Sequence, residues 1–162
     1  MKNYSWRVFC WLGLLAVLSS CTLMNSGNQA VRGSGYEGVI LSVENAQELG
    51  PLLGNDINEF WLPTEQDVAA LEAALPDYLT ANDEMFENLP VLWERLSKYK
   101  RQYVGYLENG QRVIYVNYFY NPPDNNWKKE FILVMDGGDS YFNLRFQVET
   151  GQFYGLEVNR GV

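Results

Sequence analysis

Between Thr64 and Lys98 the apolar residues recur every three or four positions, and from Gln102 onward they recur every second position. The first period belongs to a helix with one buried face, the second to a strand. Ahead of both, Gly38 to Val43 alternates, with Val39, Leu41 and Val43 on one face, and predicts a short strand. Glu44 to Leu62 has no clear period and is broken into turns by Gly50-Pro51 and Gly54-Asn55-Asp56. Thr64 is a good N-cap, and Asp67 three residues later can return the second bond of a capping box. Val68, Leu71, Leu75 and Tyr78 follow as an apolar stripe, and Pro76 is expected to end or kink this helix near Leu75. A second helix is predicted from Pro90, with Leu89, Leu92, Trp93 and Leu96 on one face. Arg95, Lys98, Lys100 and Arg101 gather near its end, where cations complement the helix dipole.

The strand region is punctuated by turn residues. Tyr103 to Leu107 runs into Glu108-Asn109-Gly110-Gln111, and Asn-Gly between alternating segments is a strong hairpin signal. Arg112 to Tyr120 is the return strand, Asn121 to Asn126 is a loop, and Trp127 to Met135 is predicted as a further strand. Asp136-Gly137-Gly138-Asp139 then turns the chain. Ser140 to Val148 follows, with Phe142, Leu144, Phe146 and Val148 inward and Asn143, Arg145 and Gln147 outward. After a turn at 149–152, Phe153 to Val158 is the last strand. Connections this short force antiparallel neighbours. Arg112 to Tyr120 and Trp127 to Met135 are apolar on both faces, so both are expected at the centre of the sheet. The expected fold is α+β, with one or two helices packed on a curved antiparallel meander of about four to five strands. Its layout resembles cystatin-like and NTF2-like folds, where a helix is cradled by such a sheet. No signature motif accompanies that likeness, which implies nothing about chemistry.

The first twenty residues follow a different pattern. Lys2 and Arg7 precede an apolar run from Val8 to Leu18, and Ser19 and Ser20 lead into Cys21. Eleven apolar positions fall well short of the roughly 20 that a membrane-spanning helix needs. The arrangement is that of a secretory signal with a cleavage site, and Leu18-Ser19-Ser20-Cys21 resembles the lipobox of bacterial lipoproteins. The resemblance implies that the Cys21 thiol receives a diacylglyceryl group, that the chain is cleaved before Cys21, and that the freed amine is acylated. Three acyl chains on one residue exceed what stable anchoring requires. Thr22 stands where the family's inner-membrane retention signal has Asp, so an outer membrane is the expected destination in a host with two. The expected organisation is a cleaved signal over residues 1–20, a lipidated Cys21 with a flexible polar tether to residue 35, and one α+β domain over 36–162.

Charge and composition narrow the function. Removal of Lys2 and Arg7 with the signal takes the formal net charge from −8 to −10. Such a chain lacks the basic footprint that nucleic acid demands, and it leaves the acyl chains as the membrane contact. Cleavage also removes Cys10, leaving only the lipid-bearing Cys21 and no intramolecular disulfide. There is no histidine, which excludes a Ser-His-Asp triad and a Cys-His pair. No zinc set, cofactor motif or phosphate-binding loop is recognisable.

Asp136 and Asp139 are the one carboxylate pair that could serve a cation or a glycosidase-like mechanism. Asp and Gly are also what a tight turn wants for purely structural reasons. The aromatic residues offer more. Tyr118, Tyr120 and Trp127, within a wider cluster of tyrosines, form the candidate binding surface, because Tyr and Trp are suited to interfaces. They could equally cap the rim of a core that has no disulfide. The expected function is a membrane-tethered, non-enzymatic module that binds an envelope protein or glycan, with inhibitor or immunity-type action as one form. A carboxylate-dependent envelope hydrolase and a structural or assembly lipoprotein are the alternatives.

Overall fold

The computed structural model describes residues 27–54, 57, 59–122, 125–134 and 136–159. Cys21 and the lipobox lie outside the described residues. The fold is α+β, a few helices packed on an open, mixed sheet of seven strands. Strand β1 (Gln29–Gly33) pairs antiparallel with β2 (Tyr36–Ile40). The expected tether therefore gives way to the sheet at Gln29. Only Val31 of β1 is buried, so the strand carries almost no apolar signal and is held by backbone pairing.

After β2 the chain forms two short helices, α1 (Val43–Gln47) and α2 (Gly50–Leu53), then the two-residue strand β3 (Phe60–Trp61). Val43 thus starts a helix capped by Ser42 instead of ending a strand. Helix α3 (Glu65–Ala81) begins with the expected capping box: Asp67 N–H donates to Thr64 Oγ1 at 3.1 Å, and Thr64 N–H to Asp67 Oδ2 at 2.9 Å. It does not end at Pro76. The proline is exposed, while Val68, Leu71, Leu75 and Leu79 are buried on the opposite face and hold the helix together across it. Helix α4 (Leu89–Arg95) starts at an Asn88 cap, close to where Pro90 placed it.

Strands β4 (Lys100–Glu108), β5 (Gln111–Phe119), β6 (Gly138–Gln147) and β7 (Gln152–Asn159) then run antiparallel in sequence. Asn109 and Gly110 both have positive φ, +52° and +77°, as the primed hairpin turn requires. The sheet is not a pure meander, because β2 lies parallel to β4 after the crossover through the helices. The lateral order is β1-β2-β4-β5-β6-β7, with β3 also on β4.

Both faces of β4 and β5 are buried. On the inner face, α3 and α4 cover Tyr103, Ile114, Val116, Tyr118, Phe142 and Leu144. The outer face buries Val104, Tyr106, Val113, Tyr115 and Phe119 beneath α1, α2 and residues 127–134. That last segment is the strand expected at Trp127 to Met135. Its described part instead contains a 3₁₀ turn, Asn125–Lys128, followed by irregular chain. Side chains of the sheet replace a ladder here. The Gln102 amide donates to Trp127 O at 2.6 Å and Glu130 O at 2.7 Å, and its Oε1 accepts from Ile132 N–H at 2.9 Å. Asn117 Nδ2 donates to Ile132 O at 2.6 Å. With these backbone groups met by side chains, the segment lies over the sheet as a cover.

Candidate functional site

The three aromatic residues expected to form one surface do not do so. Tyr118 is fully buried on the inner face, stacked on Phe142 with ring centroids 4.4 Å apart. Tyr120 is half-buried on that face beside Tyr99, with the Arg95 guanidinium over its ring. Trp127 lies on the outer face, buried against Phe119. Tyr118 and Trp127 belong to opposite sides of the sheet, so all three are packing residues in place of a shared patch. The carboxylate pair is also divided. Both oxygens of Asp139 accept backbone amides, from Glu87 at 3.1 Å and Asn88 at 3.0 Å, which fixes the chain entering α4. Asp136 is exposed, and among the described residues no group of three acidic or sulfur ligands could hold a metal ion.

Concave regions lie on both faces of the described part of the sheet. The inner one is an open groove of about 680 Å³ between α3, α4 and the β1–β2 turn, with Ala73, Pro76, Trp93 and Leu96 among its walls. At its floor lies a buried ion pair. Arg101 Nε donates to Glu72 Oε1 at 3.0 Å and to Oε2 at 3.2 Å, and the same Oε1 accepts the hydroxyls of Tyr103 at 2.8 Å and Tyr118 at 3.2 Å. The remaining Arg101 nitrogens donate to the carbonyls of Tyr99, Leu96 and Gly35. Burial, followed by the Glu72 charge, pushes both tyrosine pKa values well up, so both hydroxyls stay protonated as donors. The groove is larger, but its polar floor is consumed by the protein itself.

The outer recess is built differently. It is a cavity of about 250 Å³ over β5, β6 and β7, with Asn117, Asn143, Arg145 and Glu157 contributing polar groups and Leu52 and Leu133 forming part of its rim. Asn143 Oδ1 is buried without a hydrogen-bond partner. Such an atom is uncommon in a folded protein, because an unmet acceptor keeps its full desolvation cost. Arg145 Nε donates to the Tyr106 hydroxyl at 3.2 Å, its guanidinium lies over the Tyr115 ring, and the Glu157 charge acts on it from β7. Burial pushes the Tyr115 pKa up, opposed by Arg145 and assisted by Glu157, so its phenol also remains protonated.

A bulge in β7 makes this geometry. Asn143 lies opposite Glu157 and Arg145 opposite Tyr154, so β7 carries one extra residue between the two pairings. Gly155 takes φ +60° there, and a Cβ on it would sit 3.0 Å from Arg145 Nη1. Glycine thus supplies both the left-handed turn of the bulge and room for the guanidinium.

The rim completes the contrast. Leu52 and Leu133 are 48% and 59% exposed, and they are the exposed large hydrophobic residues among those described. Both also border an adjoining hollow lined by Leu49, Lys129 and Phe131. Apolar side chains at the rim thus stand over convergent polar groups, a combination that can orient a ligand. Sequence reading placed Asn143 and Arg145 on the outward face but gave them no role. The signal available was Gly155 inside a strand, which marks a bulge. No family model, curated protein or solved structure matches the chain.

Proposed function

We propose that this protein is a lipid-anchored envelope module that binds a partner molecule without transforming it, and that the outer recess is its binding site. The buried, unpartnered Asn143 Oδ1 beneath the exposed Leu52 and Leu133 carries the binding half of the reading. A group left at this cost is explained if a ligand completes it. The engagement of Asp139 in backbone hydrogen bonds supports binding over carboxylate catalysis. The anchor half rests on the lipobox-like Leu18-Ser19-Ser20-Cys21, with the outer membrane as the proposed location. Asn28 is fixed to the carbonyls of Lys128 and Lys129, so six residues separate it from Cys21. At the maximal extension of a polypeptide they span about 20 Å. The domain would then work close to the lipid surface.

Two labelling experiments in cells test the two halves. A fatty-acid probe is expected to label the wild type and to leave Cys21→Ala unlabelled; label persisting on that variant would contradict the anchor. A photo-crosslinking residue at Leu133 is expected to capture a partner, whereas one at Ala73 in the inner groove captures none. Capture from Ala73 alone would transfer the site to the opposite face.

A further inference from the structure

We infer that the outer recess takes a neutral saccharide unit, held through its ring hydroxyls. This rests on the reading of the recess as the binding site and adds the class of ligand. The polar groups facing the cavity are mostly uncharged. Asn117, Asn143 and Asn159 carry carboxamides and Tyr115 a phenol, the amide nitrogens of Asn117 and Asn159 being bonded to Ile132 O and Val134 O; among the described residues lining it, the one cation, Arg145, is balanced by the one carboxylate, Glu157. A ligand of either net charge would therefore gain from one of these ions and be opposed by the other. A hydroxyl suits both, since it donates one hydrogen bond and accepts others. Adjacent ring hydroxyls can accept from Arg145 and donate to Glu157, and a rotation of the Asn143 side chain would bring its buried, unpartnered Oδ1 to a third.

The apolar elements fit the same ligand. Sugar rings present C–H faces as well as hydroxyls, and Phe131, Leu52 and Leu133 stand at the recess to meet them. The cavity, about 250 Å³, lies just below the range of about 300–1,000 Å³ typical of small-molecule pockets, which favours one ring over a large cofactor. The recess is open at the rim, so that ring could be a terminal or an internal unit of a glycan. The arrangement in β6 and β7 serves this contact directly, because the bulge at Gly155 leaves Asn143, Arg145 and Glu157 all bordering the one cavity.

The test uses the full chain extracted from membranes in a detergent without a sugar headgroup. Saturation-transfer NMR would be run against glucose, galactose, mannose, N-acetylglucosamine, maltose, cellobiose and chitobiose, with glycine, lysine and glutamate as competitors. At least one saccharide is expected to bind at millimolar concentration and to resist competition by the amino acids. Asn143→Ala and Glu157→Gln should each weaken it about tenfold, or roughly 1.4 kcal/mol, while Ala73→Ser in the inner groove leaves it unchanged. Melting curves establish that each variant is folded. Binding by none of the saccharides to folded protein, binding indifferent to both recess variants, or displacement by an amino acid would each overturn the inference. If the saccharides fail while a residue at Leu133 still captures a partner, the ligand class is wrong and the site stands. If both fail, the recess reading falls with it.

Discussion

Arg101→Met is expected to destabilise the domain by about 3–5 kcal/mol, the cost of removing one partner from a buried ion pair. The Arg101 and Glu72 side chains are only 1% and 6% exposed. Loss of the guanidinium would leave the Glu72 carboxylate with two phenol donors and no counter-charge, and would leave the carbonyls of Tyr99, Leu96 and Gly35 without this donor. Those carbonyls belong to the end of the α4 region, the start of β4 and the β1–β2 turn, so three parts of the inner face would loosen together. The double variant Arg101→Met, Glu72→Leu is expected to recover much of the loss, because it removes the stranded charge as well. Urea unfolding of the single and double variants measures this coupling. A double variant no better than the sum of two singles would show that the pair is not the unit described.

Gly105→Ala is the second large effect, expected near the upper end of the roughly 1–3 kcal/mol that overpacking costs. Gly105 sits inside β4, opposite Trp61 of β3. An added Cβ would lie 2.5 Å from Trp61 O and 2.8 Å from Pro63 Cδ. The obstacle is backbone, so no rotamer change relieves it, and β3 must lift away. Trp61 Nε1 donates to Tyr106 O at 3.1 Å, and Leu107 N–H donates to Glu59 O at 2.9 Å. Alongside the lowered urea midpoint, Trp fluorescence should therefore shift to the red and the Leu107 amide should exchange faster. A variant with wild-type stability and unchanged Leu107 exchange would place β3 elsewhere.

What could be read from the sequence was local. Thr64 with Asp67, the Asn109-Gly110 turn and the alternation through Phe142, Leu144 and Phe146 each encode an element within a few residues, and each appears as expected. Long-range pairing was not legible. Trp127 to Val134 has the apolar content of a central strand, but many of its backbone groups are met by side chains from elsewhere in the chain, Asn28, Gln102 and Asn117 among them. β1 has a single buried side chain, so its order comes mainly from backbone pairing with β2. Pro76 does not stop α3, because Leu75 and Leu79 are locked into the core on either side of it.

The binding residues were hidden for a similar reason. Tyr118 and Trp127 look like a patch in one dimension, and the sheet puts them on opposite faces. Asn143, Arg145 and Glu157 look like ordinary outward positions. Only the bulge, the cover over the outer face and the missing partner of Asn143 set them apart.

That missing partner gives the most direct measurement. If the Asn143 amide is kept for a ligand, Asn143→Val should raise the stability of the ligand-free protein by about 1 kcal/mol, since it removes a buried unpaired acceptor and adds a side chain suited to a strand. The gain would be read as a higher urea midpoint at unchanged slope, together with loss of partner capture from position 133. A lowered midpoint would mean that Asn143 holds the fold together, and the outer recess would lose its claim to be the binding site.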